Sequence, residues 1–262
     1  MTYRSALITG ATSGIGAAFA RQLPPETGLV LTGRDEEALS DAAARAGRRH
    51  QAAETVTADL TREAERETVI ARAKAAEIDL LVNNAGAGGL GAILERPAEA
   101  ERATIELNVL AMAELTRALL PGMIARAERD GRRAGVILLS SSLAFTPTPF
   151  FGTYAASKAF TLWYGEALAE ELRRRPVDVL VLCPGPTRTE FGRRAGFSLG
   201  SLPGALDADT VARRALDAVG RRTVLVTGRF SDKVIDPLLL PHRVMTGGLG
   251  HVMKRVARRF GS

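Results

Sequence analysis

Seven short apolar runs alternate with stretches of helical periodicity along almost the whole chain, and this alternation constrains the fold more than any other feature. The runs are Ala6-Leu7-Ile8, Leu29-Val30-Leu31, Glu54 to Ala58, Ile78 to Val82, Val136 to Leu139, Val177 to Cys183 and Thr223 to Val226. The first helical pattern opens at Gly10 to Gly16 and runs through Leu23. Others cover 35–46, 62–76, 97–127, 154–174 and 207–219, and in the longest Ile105, Val109, Met112, Leu115 and Leu119 recur at helical spacing. Strands that are apolar along their length are buried on both faces. The pattern therefore predicts an α/β fold, a doubly wound parallel sheet of about seven strands with helices on both faces. No linker, repeat or low-complexity block interrupts it, so residues 1–262 read as one domain with a basic extension from about 241 to 262.

Sheets of this kind bind ligands beyond the carboxyl ends of their strands. The chemically informative residues fall there: Gly10 after the first run, Arg34 after the second, Asp59 after the third, Asn83 after the fourth, Ser141 after the fifth and Pro184-Gly185 after the sixth. The first tip carries Thr9-Gly10-Ala11-Thr12-Ser13-Gly14-Ile15-Gly16. Glycines there let backbone amides approach a pyrophosphate at the positive end of a helix. Their spacing, G-x-x-x-G-x-G, departs from the G-x-G-x-x-G fingerprint. At the second tip, Thr32-Gly33-Arg34 lacks the carboxylate that usually accepts from an adenosine ribose. Arg34 offers a planar fork of donors suited to a 2′-phosphate, so NADP(H) is expected in preference to NAD(H). Asp35 reads as a helix cap. In its competing role, as a ribose ligand, it would argue for NAD(H).

A second constellation follows the fifth run. Val136 to Leu139 delivers Ser140-Ser141-Ser142, and about a dozen residues later Tyr154 and Lys158 stand four apart in a helical pattern. That spacing stacks phenol and ammonium on one helix face. The lysine charge is expected to lower the tyrosine pKa from its usual value of about 10. With a serine hydroxyl holding a substrate oxygen, the three groups make a proton-transfer site for a carbonyl or an alcohol.

The glycine loop, Asn83-Asn84-Ala85-Gly86, the serine and Tyr154-x-x-x-Lys158 stand in the order and spacing of the short-chain dehydrogenase/reductase family, and the chain resembles that family from Ser5 to about Val226. The resemblance implies a Rossmann-type fold, a nicotinamide cofactor and hydride transfer to or from a carbonyl carbon. It implies a tetrad of Asn108, Ser141, Tyr154 and Lys158, with Ser141 chosen over Ser140 and Ser142 by the separation of thirteen positions from Tyr154. Tyr154 would be the general acid/base, Lys158 would also bond the nicotinamide ribose, Ser141 would polarise the carbonyl, and Asn108 would anchor a water leading from Lys158 to solvent. The competing reading of Asn108 is an exposed helix residue. Cofactor contacts are implied for Gly10, Thr12, Ser13, Gly14, Ile15 and Gly16. Arg34, the adenine-side pair Asp59 and Leu60, and Asn83, Ala85 and Gly86 are also implied. Pro184, Gly185, Thr187 and Thr189 would close over the nicotinamide. Relatives pair through the long helix and the tyrosine-bearing helix, which implies a homodimer or homotetramer. Phe160, Trp163, Tyr164 and Leu168 would either cover that face or pack within the chain.

The substrate side is framed by 145–152 and by 188–206, where Phe191, Phe197, Leu199 and Leu202 stand among Gly192, Gly196, Gly200 and Gly204. Apolar side chains in a glycine-punctuated loop suit a lid over an apolar carbonyl or alcohol. The alternative is simple packing on the core. The formal charge of +6 is carried mostly by arginine, with no aromatic-interleaved basic stripe, so nucleic acid is not an expected partner. His50, His242 and His251 have no metal-ligand spacing, so no metal site is expected. Cys183 is the sole cysteine and reads as a small buried residue. The amino terminus enters a strand pattern without a signal-like leader, and a cytoplasmic location is expected. Leu249, Val252, Met253, Val256 and Phe260 repeat at helical spacing among Lys254, Arg255, Arg258 and Arg259. This basic amphipathic helix would dock on the protein or a second subunit, or make peripheral contact with an anionic membrane. The rival to an enzyme is a non-catalytic dinucleotide-binding regulatory or scaffold protein; the intact tetrad argues against it.

Overall fold

The structure, a computed structural model, describes residues 2–47, 53–194 and 204–228. His50, His242, His251, Phe197, Leu199, Leu202 and the basic segment beyond residue 241 lie outside the described residues.

The chain runs β1 (Ser5–Thr9), α1 (Gly14–Gln22), β2 (Gly28–Gly33), α2 (Glu36–Gly47), β3 (Ala53–Thr57), α3 (Glu63–Ala75) and β4 (Leu80–Asn83). Next come α4 (Ala98–Ile105), α5 (Met112–Asp130), β5 (Ala134–Leu139), α6 (Gly152–Glu171), β6 (Val177–Pro184), β7 (Thr187–Arg188), α7 (Phe191–Arg194), β8 (Leu206–Asp207), α8 (Ala208–Ala218) and β9 (Val224–Thr227). Seven strands form one parallel sheet in the order β3-β2-β1-β4-β5-β6-β9. This is the doubly wound Rossmann-type arrangement expected from the alternation.

Strand alternation sorts the core into two layers. Ala6, Ile8, Leu29, Leu31, Val82, Ile137 and Leu180 pack against Phe19 of α1 and Val211 and Ala215 of α8. Their neighbours Leu7, Val30, Leu81, Val136 and Val179 face Val69 of α3 and Leu115, Leu119 and Met123 of α5. Successive residues point to opposite faces, so both helical layers are covered by one apolar run per strand. The helix from Ala98 to Asp130 is continuous, and by length and apolarity it could cross a membrane. Between Ala111 and Ala127 its apolar side chains pack in the second core layer, whereas Ile105 and Leu110 are exposed.

Two features were not visible in the apolar pattern. Residues Glu106–Ala111, between α4 and α5, form a π-helical turn. The two-residue strands β7 and β8 pair in parallel, Thr187 with Leu206 and Arg188 with Asp207. The order of the main sheet reverses between β1 and β4, and the tips of those strands are where a doubly wound sheet opens its crevice.

Candidate active site

The crevice is assembled from the strand tips. At the end of β1, the Thr9 hydroxyl accepts hydrogen bonds from the backbone N–H groups of Asn84 (3.0 Å) and Ala85 (2.9 Å). Asn84 returns the contact, its Nδ2 donating to the carbonyls of Thr9 (2.8 Å) and Gly10 (3.1 Å). Asn84 is therefore a clamp between the glycine loop and the β4 tip. Ala11 N donates to Thr32 O at 3.0 Å, which ties the same loop to β2. Gly10 has φ of +64°, in the left-handed region that favours glycine. A Cβ added at Gly16 would lie 2.3 Å from Gly10 O and 2.4 Å from Asn84 Nδ2. The loop thus holds backbone against backbone, and Ser13, Gly14 and Ile15 at the start of α1 line the crevice. Gly16→Ala is expected to cost about 1–3 kcal/mol of stability by overpacking, read as a lowered Tm in thermal unfolding. An unchanged Tm would show that the loop relaxes freely.

The second part grows from β5. Ser140 Oγ donates to Lys158 O at 2.7 Å and is buried as a structural contact. Ser141 is extended and accepts from Leu143 N at 3.2 Å, capping the turn Ser142–Phe145. Ser141 and the Tyr154 phenol line the same cavity. Lys158 Nζ donates to Leu139 O at 2.8 Å and lies 5.7 Å from the centre of the Tyr154 ring. Phe151 and Phe191 flank that ring, with centroids 6.2 Å and 5.2 Å away.

Asn108 sits in the π turn, a helix irregularity frequent at functional sites, and is buried. This removes its reading as an exposed helix residue. Its Oδ1 accepts from Ala87 N at 2.9 Å, and its Nδ2 donates to Ala87 O at 2.8 Å and Ser157 Oγ at 2.9 Å. Ser157 Oγ in turn donates to Tyr154 O at 2.7 Å. The asparagine side chain therefore fastens the segment after β4 to the turn that carries the tyrosine.

The electrostatics differ from the expectation drawn from the Tyr-x-x-x-Lys spacing. Burial pushes the Tyr154 pKa up to about 12, and the Ser141 hydroxyl only partly opposes it. Burial also pulls the Lys158 ammonium down to about 8. The lysine charge is not among the influences on the phenol, so desolvation outweighs the attraction expected from sequence. Cys183 is buried as expected, and its thiol is pushed up to about 12 by burial. It behaves as an inert core group.

A cavity of about 490 Å³ joins the two halves. Among the expected residues, Gly10, Thr12, Ser13, Gly14, Ile15, Arg34, Ala85, Gly86, Ser141, Tyr154, Lys158, Pro184, Gly185, Thr187 and Thr189 line it. Gly16, Asp59, Leu60, Asn83 and Asn108 are not among its lining residues. Asn83 Nδ2 points into the core, donating to Thr116 Oγ1 (2.9 Å) and Met112 O (3.3 Å). Asp59 accepts from the backbone and hydroxyl of Thr61 at 3.1 and 2.9 Å. Sequence reasoning passed over Asn84, Ser157 and Gly88. A Cβ at Gly88 would come within 2.5 Å of Tyr154 Cδ2, so its backbone forms a wall for the ring.

Residues 4–196 match the family described as short chain dehydrogenase. The chain belongs to the short-chain dehydrogenase/reductase family. It is therefore an oxidoreductase of that family. It is 34% identical over 239 residues to dehydrogenase/reductase SDR family member 7B of Rattus norvegicus, covering 82% of this chain and 70% of the relative. A short-chain dehydrogenase from Sphingobium yanoikuyae in complex with NADPH superposes with a TM-score of 0.77 at 33% identity, covering 95% of this chain and 94% of the other. A family structure from Burkholderia phymatum in complex with NAD gives 0.78 at 25% identity, covering 93% and 94%. Within the family frame, the cavity divides into a glycine-loop end containing Arg34 and a tyrosine end walled by Phe151 and Phe191.

Proposed function

We propose that the protein reduces an apolar ketone or aldehyde with NADPH, using Tyr154 as the general acid. The observation that carries this reading is that Ser141, Tyr154 and Lys158 line one cavity with the glycine loop. The residues fit a dinucleotide. The backbone of Gly10, Ser13, Gly14 and Ile15 would hold the pyrophosphate, and the close packing of Gly16 on Gly10 shapes that cradle. Arg34 would meet a 2′-phosphate, and Lys158 would donate to the ribose beside the nicotinamide. When bound, the dinucleotide supplies hydride to the carbonyl carbon. Neighbouring structures that hold NADPH or NAD support a nicotinamide cofactor of this class.

The chain's own groups do the rest. Ser141 and Tyr154 would offer two O–H groups to a carbonyl oxygen as it gains negative charge. A phenol held near 12 keeps its proton throughout the neutral range and can give it to the forming alkoxide. This favours the reductive direction. The only charged side chains among the described lining residues are Arg34 and Lys158, both assigned here to the cofactor. The tyrosine end offers Leu143, Phe151, Pro186 and Phe191, which suits an uncharged substrate. Phe160 and Trp163 on α6, with Ile105 and Leu110 on the long helix, are exposed and support pairing of two copies through these helices.

A panel of neutral and carboxylate-bearing ketones with NADPH and NADH, followed by absorbance loss at the nicotinamide band, tests the reading. Turnover of neutral ketones with NADPH supports it; nucleotide binding without turnover of any carbonyl favours the regulatory or scaffold alternative. The lowered Lys158 pKa adds a pH dependence. Lys158 carries its charge below about 8 and loses it above. Hence kcat/KM is expected to be flat on the acid side of that value and to fall about tenfold per pH unit beyond it. In Lys158→Met the remaining rate should lack this limb; a limb that persists assigns it to another group.

A further inference from the structure

We propose that Glu101 is a positioning residue for Tyr154, a role that rests on the acid/base reading above and explains how the phenol is held. Glu101 lies in the first turn of α4 and is largely enclosed, with 19% of its side chain exposed. Its carboxylate oxygens are divided between two elements. Oε2 accepts from the Thr153 hydroxyl, and Oε1 accepts from Arg96 Nε. Thr153 immediately precedes Tyr154 in the first turn of α6.

Arg96 packs against the loop that borders the tyrosine ring. The Arg96 side chain lies over the loop after β4, where a Cβ at Gly89 would come within 1.9 Å of Nη1 and one at Gly91 within 3.0 Å of Cγ. Adjoining Gly89 is Gly88, whose backbone walls the Tyr154 ring. Gly91 N also donates to Phe150 O at 3.0 Å, a second tie between this loop and the approach to α6. One carboxylate thus joins the helical turn that carries the phenol to the loop that borders its ring. Burial opposes the charge on Glu101, but the bonds from Thr153 and Arg96 hold its pKa below the usual carboxylate range, so the clamp stays ionised near neutrality. Arg96, Glu101 and Thr153 are absent from the cavity lining, so they act through Tyr154 and not on substrate or cofactor.

The test uses the full chain, NADPH and trifluoroacetophenone, a neutral aromatic ketone activated toward reduction. Glu101→Ala and Thr153→Val are each expected to lower kcat about 10- to 100-fold, while the NADPH Kd and the ketone KM stay within about threefold. Thr153→Ser, which keeps the hydroxyl, should restore the rate. The double variant should fall no further than the worse single one, because both break one connection. Hydrogen exchange supplies a readout without substrate: the amides of residues 88–91 and 153–154 should exchange faster together in Glu101→Ala. Unchanged kcat in either folded variant overturns the proposal, as do losses that multiply in the double variant or a Kd that weakens in step with kcat. Should Glu101→Ala not fold, Thr153→Val and Thr153→Ser carry the test. Tyr154→Phe, measured alongside, separates the two levels. Full turnover there sinks the acid/base reading itself; an inactive Tyr154→Phe with active Glu101 and Thr153 variants sinks only the positioning role.

Discussion

Tyr154→Phe is expected to lower kcat for carbonyl reduction by about 10²–10⁴-fold, the range that one positioned general acid supplies, with NADPH affinity nearly unchanged. The substitution is clean because of where the hydroxyl sits. The aromatic ring keeps its contacts with Phe151 and Phe191 and its wall at Gly88. Ser141 keeps its cap on Leu143 N, so the turn after β5 stays in place. Lys158 retains Leu139 O as a partner and Asn108 retains Ala87 and Ser157. Only the proton donor is removed. Stopped-flow mixing with NADPH separates binding from the chemical step: the binding phase should match that of the wild type while the reduction phase collapses. A variant that still reduces a matched ketone at the wild-type rate would show that the proton comes from elsewhere.

The raised phenol pKa also bears on what a sequence can and cannot say. The spacing of Tyr154 and Lys158 fixes their separation along a helix, and the structure places them as that spacing requires. It does not report how much water surrounds the phenol. That depends on Phe151 and Phe191, which arrive from segments on either side, and desolvation there reverses the expected direction of the shift. The sheet was legible because each strand is a continuous apolar run, and the strand tips were legible because a parallel sheet gathers them. The π turn at Glu106–Ala111 was not: the apolar spacing suggested one unbroken stripe from Ile105 to Leu119, whereas Ile105 is exposed and Thr104 and Asn108 are buried. Nor was the pairing of β7 with β8, which is too short to carry a pattern. Asn83 and Asn84 show the same limit within a motif. Strand alternation aims Asn83 toward the α5 side of the sheet with Leu81 and leaves Asn84 to grip the glycine loop, a division the motif alone does not reveal.

Arg34→Ala is expected to lower kcat/KM for NADPH by about 10- to 100-fold while leaving NADH within about threefold, because in the proposed reading the truncation would remove charge-assisted hydrogen bonds that only a 2′-phosphate accepts. Arg34 stands at the tip of β2 on the cavity wall, directly after Gly33. The two carboxylates beside it among the described residues each have a partner. The Asp35 side chain accepts from Ala38 N at 2.9 Å, the helix-cap role expected of it. Asp59 is engaged by Thr61, and although burial works against its charge, those bonds and the charges of Arg34 and Arg62 hold its pKa below the ordinary range. In the proposed reading, the guanidinium groups of Arg34 and Arg62 near the β2 and β3 tips would favour an extra phosphate at the adenosine end. Arg34 is exposed, so part of this attraction is long-range, and rising salt should weaken NADPH binding more than NADH binding in the wild type but not in Arg34→Ala. Asp35→Ala discriminates the competing reading. If Asp35 is only a cap, its loss lowers stability by about 1 kcal/mol and spares NADH. A selective fall in NADH use, with NADPH preference unaltered in Arg34→Ala, would instead assign the β2 tip to an NAD(H) ribose.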